Sequence, residues 1–304
     1  MIENTRSING VANIVLLLGC AFIAAPLVLA VITATLDYPT FLREGLTLKP
    51  GLHLFDNIVQ VWTLSNLPRQ IFNSFVVGLG IALGKMVLAF LTAYALVFFR
   101  SRYTVLVYAA VLATIMLPLE LMIITAYRIT ANVALPLEWI ANMGGAWSTL
   151  FGSPLVLEVN LLDTYAGIIL PQIATGAAIL IMVQFMRTLP QDLARAATMD
   201  GASPLRFMWD IVLPLSKAPL IALTLFFFID GWGKFMWPLI AAPSQAMMTG
   251  VVGLTRLDFG AGDGAGIPNF PLKMAGAILV SVVPLLLIAL FQRRIVRGLN
   301  YMDR

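Results

Sequence analysis

The chain has 304 residues, 60% of them hydrophobic and 11% charged, with a mean hydropathy of +0.92. Soluble domains carry about 25% charged residues, so a water-soluble globular fold is excluded and membrane lipid is the expected solvent. A dispersed net charge of +4 excludes nucleic acid as a partner, and a single cysteine, Cys20, excludes a disulfide framework or thiolate zinc site.

In chain order, Val11 to Leu36 is a continuous apolar run, longer than the roughly 20 residues a spanning helix needs. It exceeds a signal-peptide core and lacks a small-residue cleavage site, so it reads as a retained span. Asp37 to Gln70 is mixed and punctuated by Pro and Gly, an extramembrane loop in which the lone His53 is solvated. Ile71 to Phe99 is the second span, and its Gly80 and Gly84 form a small-xxx-small pair that lets another helix approach closely. After the basic turn Arg100-Ser101-Arg102, Thr104 to Ala126 is the third span, with a kink expected at Pro118.

Tyr127 to Thr164 is less regular and reads as extramembrane, with a short helix in the interface. Tyr165 to Met186 is the fourth span, Pro219 to Ile240 the fifth and Leu272 to Phe291 the sixth. Ala241 to Pro271 between the last two is a Gly-rich loop. One side of these spans collects Arg6, Arg100, Arg102, Arg187, Arg195, Arg206, Lys217, Arg293, Arg294, Arg297 and Arg304. The other collects Arg43, Lys49, Arg69, Arg128, Arg256 and Lys273, so eleven stand against six. Positive charge stays inside, which puts both termini and the loop after span four in the cytoplasm. The expected organisation is an all-α membrane protein. An N-terminal spanning helix and its periplasmic loop fill 1–70, and a five-helix core fills 71–304.

The loop at 187–218 is the only long segment both charged and strongly patterned. Gln191 to Met199 reads as a first helix, with Leu193, Ala196, Ala197 and Met199 as a modest apolar face. Gly201 is placed to end it with φ > 0. Ser203-Pro204 then restarts the chain in N-cap and N1 order. Leu205, Met208, Trp209 and Val212 follow at amphipathic helical spacing. The spacing predicts a compact helix–turn–helix outside the membrane that offers a surface to a partner.

This arrangement resembles the EAA loop of bacterial ABC importer permeases, a pattern E-A-A-x-x-D-G-A followed a short helix later by I-x-L-P. The match falls on Ala196, Ala197, Asp200, Gly201, Ala202, Ile211, Leu213 and Pro214, while Arg195 stands where the family has an acidic residue. The resemblance implies that this loop, Pro204 included, is a coupling helix seated in a cleft of a cytoplasmic ATPase. Further stretches look like the E-type permease subunits of sn-glycerol 3-phosphate importers. They include Met1-Ile2-Glu3-Asn4, Asn73-Ser74-Phe75, Gly84-Lys85, Met116 to Glu120, Asn160 to Asp163, Trp209 to Lys217 and Val296 to Leu299.

The resemblance implies a type I importer permease fold in the bacterial inner membrane, working by alternating access. It implies as partners a homodimeric ABC ATPase, a second related permease and a periplasmic substrate-binding protein. This chain would be non-catalytic and hold no cofactor, ATP and Mg being on the ATPase. Val133 to Val159 has no counterpart of that length in typical members, and Asp230 and Lys234 are not the family's usual residues.

Ionisable residues inside spans cost about 3 kcal/mol each on insertion scales, so Lys85, Glu120, Asp230 and Lys234 are expected to face the protein interior or a water-filled path. Asp230 and Lys234, at i and i+4, can pair on one helical face. Substrate-path and packing roles both remain open for these residues and for Lys85. Trp232 and Trp237 suit either an interfacial aromatic belt, the commoner arrangement, or stacking on a ligand. Gly84-Lys85 does not satisfy GxxxxGK[ST] and lies in an apolar run, so no phosphate loop is present. No metal motif appears either. A permease for a neutral sugar or polyol is the alternative within this class. An ion-coupled secondary transporter is the alternative outside it, although no second copy of an interrupted helix is seen.

Overall fold

The computed structural model describes residues 5–99, 102–116, 119–257 and 268–300. Every regular element among them is helical. In order these are α1 (Thr5–Ala34), α2 (Tyr38–Glu44), α3 (Leu54–Leu64), α4 (Leu67–Phe98), α5 (Thr104–Met116), α6 (Leu119–Ala131), α7 (Leu135–Asn142), α8 (Ala146–Phe151) and α9 (Tyr165–Ile173). Then follow α10 (Gly176–Arg187), α11 (Gln191–Met199), α12 (Pro204–Phe207), α13 (Leu213–Leu215), α14 (Lys217–Trp232), α15 (Met236–Ala241), α16 (Gly250–Thr255) and α17 (Phe270–Asn300). Stretches of α1, α4 and α17, namely Ala12–Ala34, Leu67–Phe98 and Phe270–Phe291, are long and apolar enough to cross a bilayer. Two bent pairs, α9 with α10 and Pro204–Leu215 with α14, each pass the same test as a broken span.

The departures from expectation have local causes. The fourth span is broken by 49° at Ala174-Thr175, both in extended conformation. Pro171 inside α9 cannot donate to the preceding turn, which weakens the helix just before the break. The fifth span ends at Trp232 rather than Ile240. Gly231 and Gly233 lower helix propensity there, and a separate short helix, α15, follows with Pro238 in its first turn. The loop expected over 37–70 contains α2 and α3. Residues 127–164 hold the end of α6, then α7 and α8, then an extended arm. Pro118 and Arg100-Ser101 lie outside the described residues.

The chain divides into two compact units, Met1–Pro68 with Gly253–Val283, and Arg69–Val252 with Pro284–Arg304. In the first, the end of α1 is closed by a side chain. Asn57 of α3 is buried and donates to the carbonyls of Ala34 and Leu36 at 2.9 and 2.8 Å, acceptors that a helix end leaves without partners. Farther up α1, Leu17, Phe22 and Ile23 are exposed, an apolar surface that water does not tolerate.

In the second unit, α4 lies against α9. A Cβ on Gly80 would stand 2.6 Å from Ile169 Cδ1, and one on Gly84 2.5 Å from Ile173 Cγ2, so the glycine pair gives the close approach expected of it. At the start of α4, Asn73 donates to the carbonyls of Ala246 and Met248, both at 2.9 Å, and accepts from the Tyr165 hydroxyl at 2.7 Å. Ser74 accepts from Gly250 N at 2.8 Å. Asp163 accepts from the backbone N–H and hydroxyl of Ser244. One end of α4 is thus tied to α9 and to the 241–250 segment.

Candidate functional site: an exposed helical loop and a buried charge cluster

The patterned loop folds from local rules. α11 runs from Gln191 to Met199 as expected, and Gly201 follows Asp200 with φ +73°. Ala202 N–H reaches the Ala197 carbonyl at 2.9 Å and Gly201 N–H the Thr198 carbonyl at 3.1 Å. That double bond pattern is the Schellman motif, and it explains why a glycine stands between Asp200 and Ala202. Ser203 then caps the next helix, its Oγ accepting from Arg206 N at 3.3 Å, with Pro204 in the first turn.

The far end of α4 holds this loop in place. Tyr94 donates its hydroxyl to the Pro204 carbonyl at 2.7 Å. Buried Phe207 packs edge-on against Phe98, with ring centroids 5.3 Å apart. From Met208 to Val212 the helix widens into a π turn before α13 begins. The apolar stripe expected over Leu205, Met208, Trp209 and Val212 is therefore divided. Met208 and Val212 are buried, whereas Leu205 and Trp209 are 66% and 60% exposed.

Around the turn, Arg195, Ala196, Asp200 and Gly201 are exposed, while Ala197 is buried and Ala202, Ile211 and Leu213 are half-buried. Pro214 is exposed in the first turn of α13. Arg195 contacts Asp192 at 3.3 Å and Arg206 contacts Asp210 at 3.2 Å. Both are exposed pairs within one helical stretch, of the kind that contribute under about 1 kcal/mol. They leave the guanidiniums free to exchange partners. Met199, Leu205 and Trp209 make this polar loop a mixed surface with apolar anchors, the composition of a docking face.

The second site lies deeper. Lys85 in α4 is buried and donates to Asp230 Oδ2 at 3.0 Å, while Lys234 meets Oδ1 of the same carboxylate at 2.9 Å. The Lys85 ammonium also stands 4.7 Å from the centre of the Phe227 ring. Sequence spacing anticipated the Asp230–Lys234 pair. It named Lys85 as an interior-facing charge but not its partner, which is 145 positions away. Two cations on one carboxylate leave the cluster with a net positive charge. It sits where α14 breaks, between Trp232 and Met236.

The aromatic-belt expectation is overturned. Trp232 and Trp237 are both 4% exposed, and Trp237 Nε1 donates to the Ile168 carbonyl at 3.1 Å within a core that includes Val77 and Ile81. An indole in a headgroup belt would keep its N–H in the interface. Here the break after Trp232 turns α15 back into the protein. Glu120 stands in the first turn of α6, and its side chain lies outside those described. No group of His, Cys, Asp and Glu able to hold a metal occurs among the described residues.

An all-helical chain with several apolar spans and an exposed helix–turn–helix between two of them has the architecture of an importer permease. The family model for the binding-protein-dependent transport system inner membrane component matches residues 85–301, and the chain belongs to this family. It is a non-catalytic, multi-pass subunit of the inner membrane. As an ABC importer permease it works with an ATPase, a second permease and a substrate-binding protein.

Among curated relatives, the sn-glycerol-3-phosphate transport system permease protein UgpE of Yersinia enterocolitica is 34% identical over 306 residues, covering 98% of each chain. The protein of that name from Escherichia coli O157:H7 is 35% identical over 305 residues, again covering 98% of each. A crystal structure of a bacterial ABC transporter involved in the import of the acidic polysaccharide alginate matches with a TM-score of 0.70, covering 97% of this chain and 98% of that one. At 17% identity it shows the fold alone.

Proposed function

We propose that this chain is the E-type permease subunit of an sn-glycerol 3-phosphate importer. It translocates that ester into the cytoplasm by alternating access driven by ATP hydrolysis on a homodimeric partner ATPase, which holds the ATP and Mg. The observation that carries the reading is the whole-length similarity, at about a third identity, to relatives that carry that substrate in their names. On this reading the six spans are α1, α4, α5 with α6, α9 with α10, α14 and α17. Residues 71–304 then form the five-helix core, and the excess of Lys and Arg places both termini and the 187–218 loop in the cytoplasm.

On this reading Arg195, Ala196, Ala197, Asp200, Gly201, Ala202, Pro204, Ile211, Leu213 and Pro214 form the coupling element against the ATPase. Leu205 and Trp209 supply its apolar anchors. Lys85, Asp230 and Lys234, with Glu120, Trp232 and Trp237, belong to the substrate path. The net positive charge of the Lys85–Asp230–Lys234 cluster suits a phosphate ester better than a neutral sugar. The test is ATPase activity of the reconstituted complex with its binding protein and different ligands. Stimulation by glycerol 3-phosphate but not by maltose or glycerol is expected. Stimulation by a neutral sugar instead overturns the substrate while leaving the fold and coupling loop in place.

A further inference from the structure

Residues 132–160, between α6 and α9, have their polarity inverted. Asn132 Oδ1 accepts from Ala134 N at 3.0 Å and Val159 N at 3.2 Å, and its Nδ2 donates to Glu138 Oε1 at 3.1 Å. The same Glu138 oxygen accepts from Leu157 N at 2.6 Å. Asn142 grips Leu155 from both sides, donating to its carbonyl and accepting from its N–H, each at 2.9 Å. The amides of 155, 157 and 159 are thus paired to side chains as they would be to a neighbouring strand. Ser148 and Thr149 donate their hydroxyls to the Gly145 carbonyl at 2.9 and 2.7 Å. Five polar side chains of 132–149 are therefore turned onto the segment's own backbone.

Around α7 and α8 the large side chains that face outward are apolar. On α7 and at its C-cap, Trp139, Ile140 and Met143 are 69%, 61% and 62% exposed, and on α8 Leu150 and Phe151 are exposed as well. A loop in water puts its polar groups outside. A segment in a water-poor layer satisfies backbone groups from within and presents hydrocarbon, and here the amides of 155, 157 and 159 and the outer face of α7 meet those two demands. We propose that residues 132–160 form a module lying in the boundary layer of the bilayer, with the Trp139–Ile140–Met143 face of α7 against lipid.

Lipid fits this face better than a protein partner does. Protein interfaces carry a polar rim that fixes register. Here the charged side chain of α7, Glu138, is used internally, and no Lys or Arg occurs between Arg128 and Arg187. The module also continues from α6, where Ile124 and Ile129 are exposed in the same way. Without basic residues, its attachment rests on apolar burial and on indole rings suited to the headgroup level, and not on anionic lipid.

The test uses the assembled importer in phosphatidylcholine nanodiscs, in a Cys20→Ser background with one spin label introduced by Ile140→Cys, Met143→Cys or Glu158→Cys. At 140 and 143, relaxation by oxygen is expected to exceed relaxation by a water-soluble nickel chelate several-fold, and exposed Glu158 is expected to show the reverse. Replacing part of the lipid with phosphatidylglycerol is expected to leave these ratios unchanged. Free access of the nickel chelate at 140 would overturn the proposal in favour of a solvated loop. Protection from both reagents would overturn it in favour of a protein partner. All three labels sit at exposed positions, so the fold does not depend on them.

Discussion

The buried cluster gives the sharpest test of how charge is handled inside this protein. Asp230→Asn keeps the shape of the side chain but leaves Lys85, with 3% of its side chain exposed, without a counter-charge. Breaking a buried pair costs about 3–5 kcal/mol, and because Asp230 is about one-third exposed the low end, about 3 kcal/mol, applies. For a chain of 304 residues that corresponds to a loss of roughly 5 °C in melting temperature. Lys234→Gln should behave differently, since it leaves the Lys85–Asp230 pair neutral and intact, and it should cost under about 1 kcal/mol. Lys85→Met together with Asp230→Asn removes the stranded cation, and Lys234 can extend to water. The double variant should therefore recover most of the loss. Thermal melting of the detergent-purified complex, followed by size-exclusion fluorescence, reads all three. An Asp230→Asn complex that melts with the wild type, or a double variant worse than the single, refutes this account of the cluster.

Three further outcomes follow from the same contacts. Gly201→Pro removes the N–H bonded to Thr198 and forbids φ +73°. Like Asp200→Arg, it should abolish glycerol 3-phosphate uptake in proteoliposomes while membrane insertion stays normal, and unchanged uptake would count against the coupling role. Trp209→Ala deletes an exposed ring, so melting of the permease should hold while ATPase retention on an affinity column weakens by about 2 kcal/mol, roughly thirtyfold. Asn73→Ala strands two carbonyls and the Tyr165 hydroxyl, a loss of about 3 kcal/mol. It should appear as faster proteolysis within 241–250, and wild-type resistance there would dismiss the anchoring role.

How much of this was readable in the chain depends on whether the determinant was local. The ends of α11, the left-handed Gly201 and the Ser203 cap are fixed by neighbours within four or five positions, and all three followed from residue type and spacing. The Gly80–Gly84 contact was readable as an opportunity, but not its partner Ile169–Ile173. The Lys85–Asp230 pair and the burial of Trp232 and Trp237 were not readable, for a reason specific to lipid. A helix in water announces its buried side by being apolar there. A helix in a bilayer is apolar on every side, so composition does not tell a protein-facing indole from a lipid-facing one. The splitting of the Leu205–Val212 stripe had a different source, since the π turn over 208–212 shifts the register that an ideal helix period assumes.

The exposed loop and the buried cluster are joined twice by continuous helix. α4 offers Tyr94 to the loop at Pro204 and carries Lys85 nine residues earlier, about 13 Å along the axis. α14 leaves the loop at Lys217 and reaches Asp230 thirteen residues later, about 20 Å away. Helices of this length do not shorten under load, so a displacement of the loop must either carry Lys85 and Asp230 with it or be absorbed at a break. Two breaks are available in this part of the chain. One is the 71° bend at Ser216, whose hydroxyl donates to Val212 at 2.7 Å, and the other is the Gly233–Phe235 turn that bears Lys234. The first lies between the loop and α14, and the second lies beyond Asp230. A push that opens the Ser216 bend moves Asp230 relative to Lys85 on α4, and one that leaves the bend closed moves both together against Lys234. On the proposed coupling role of the loop, the carboxylate shared by two lysines is the point at which its motion becomes a change in charge pairing.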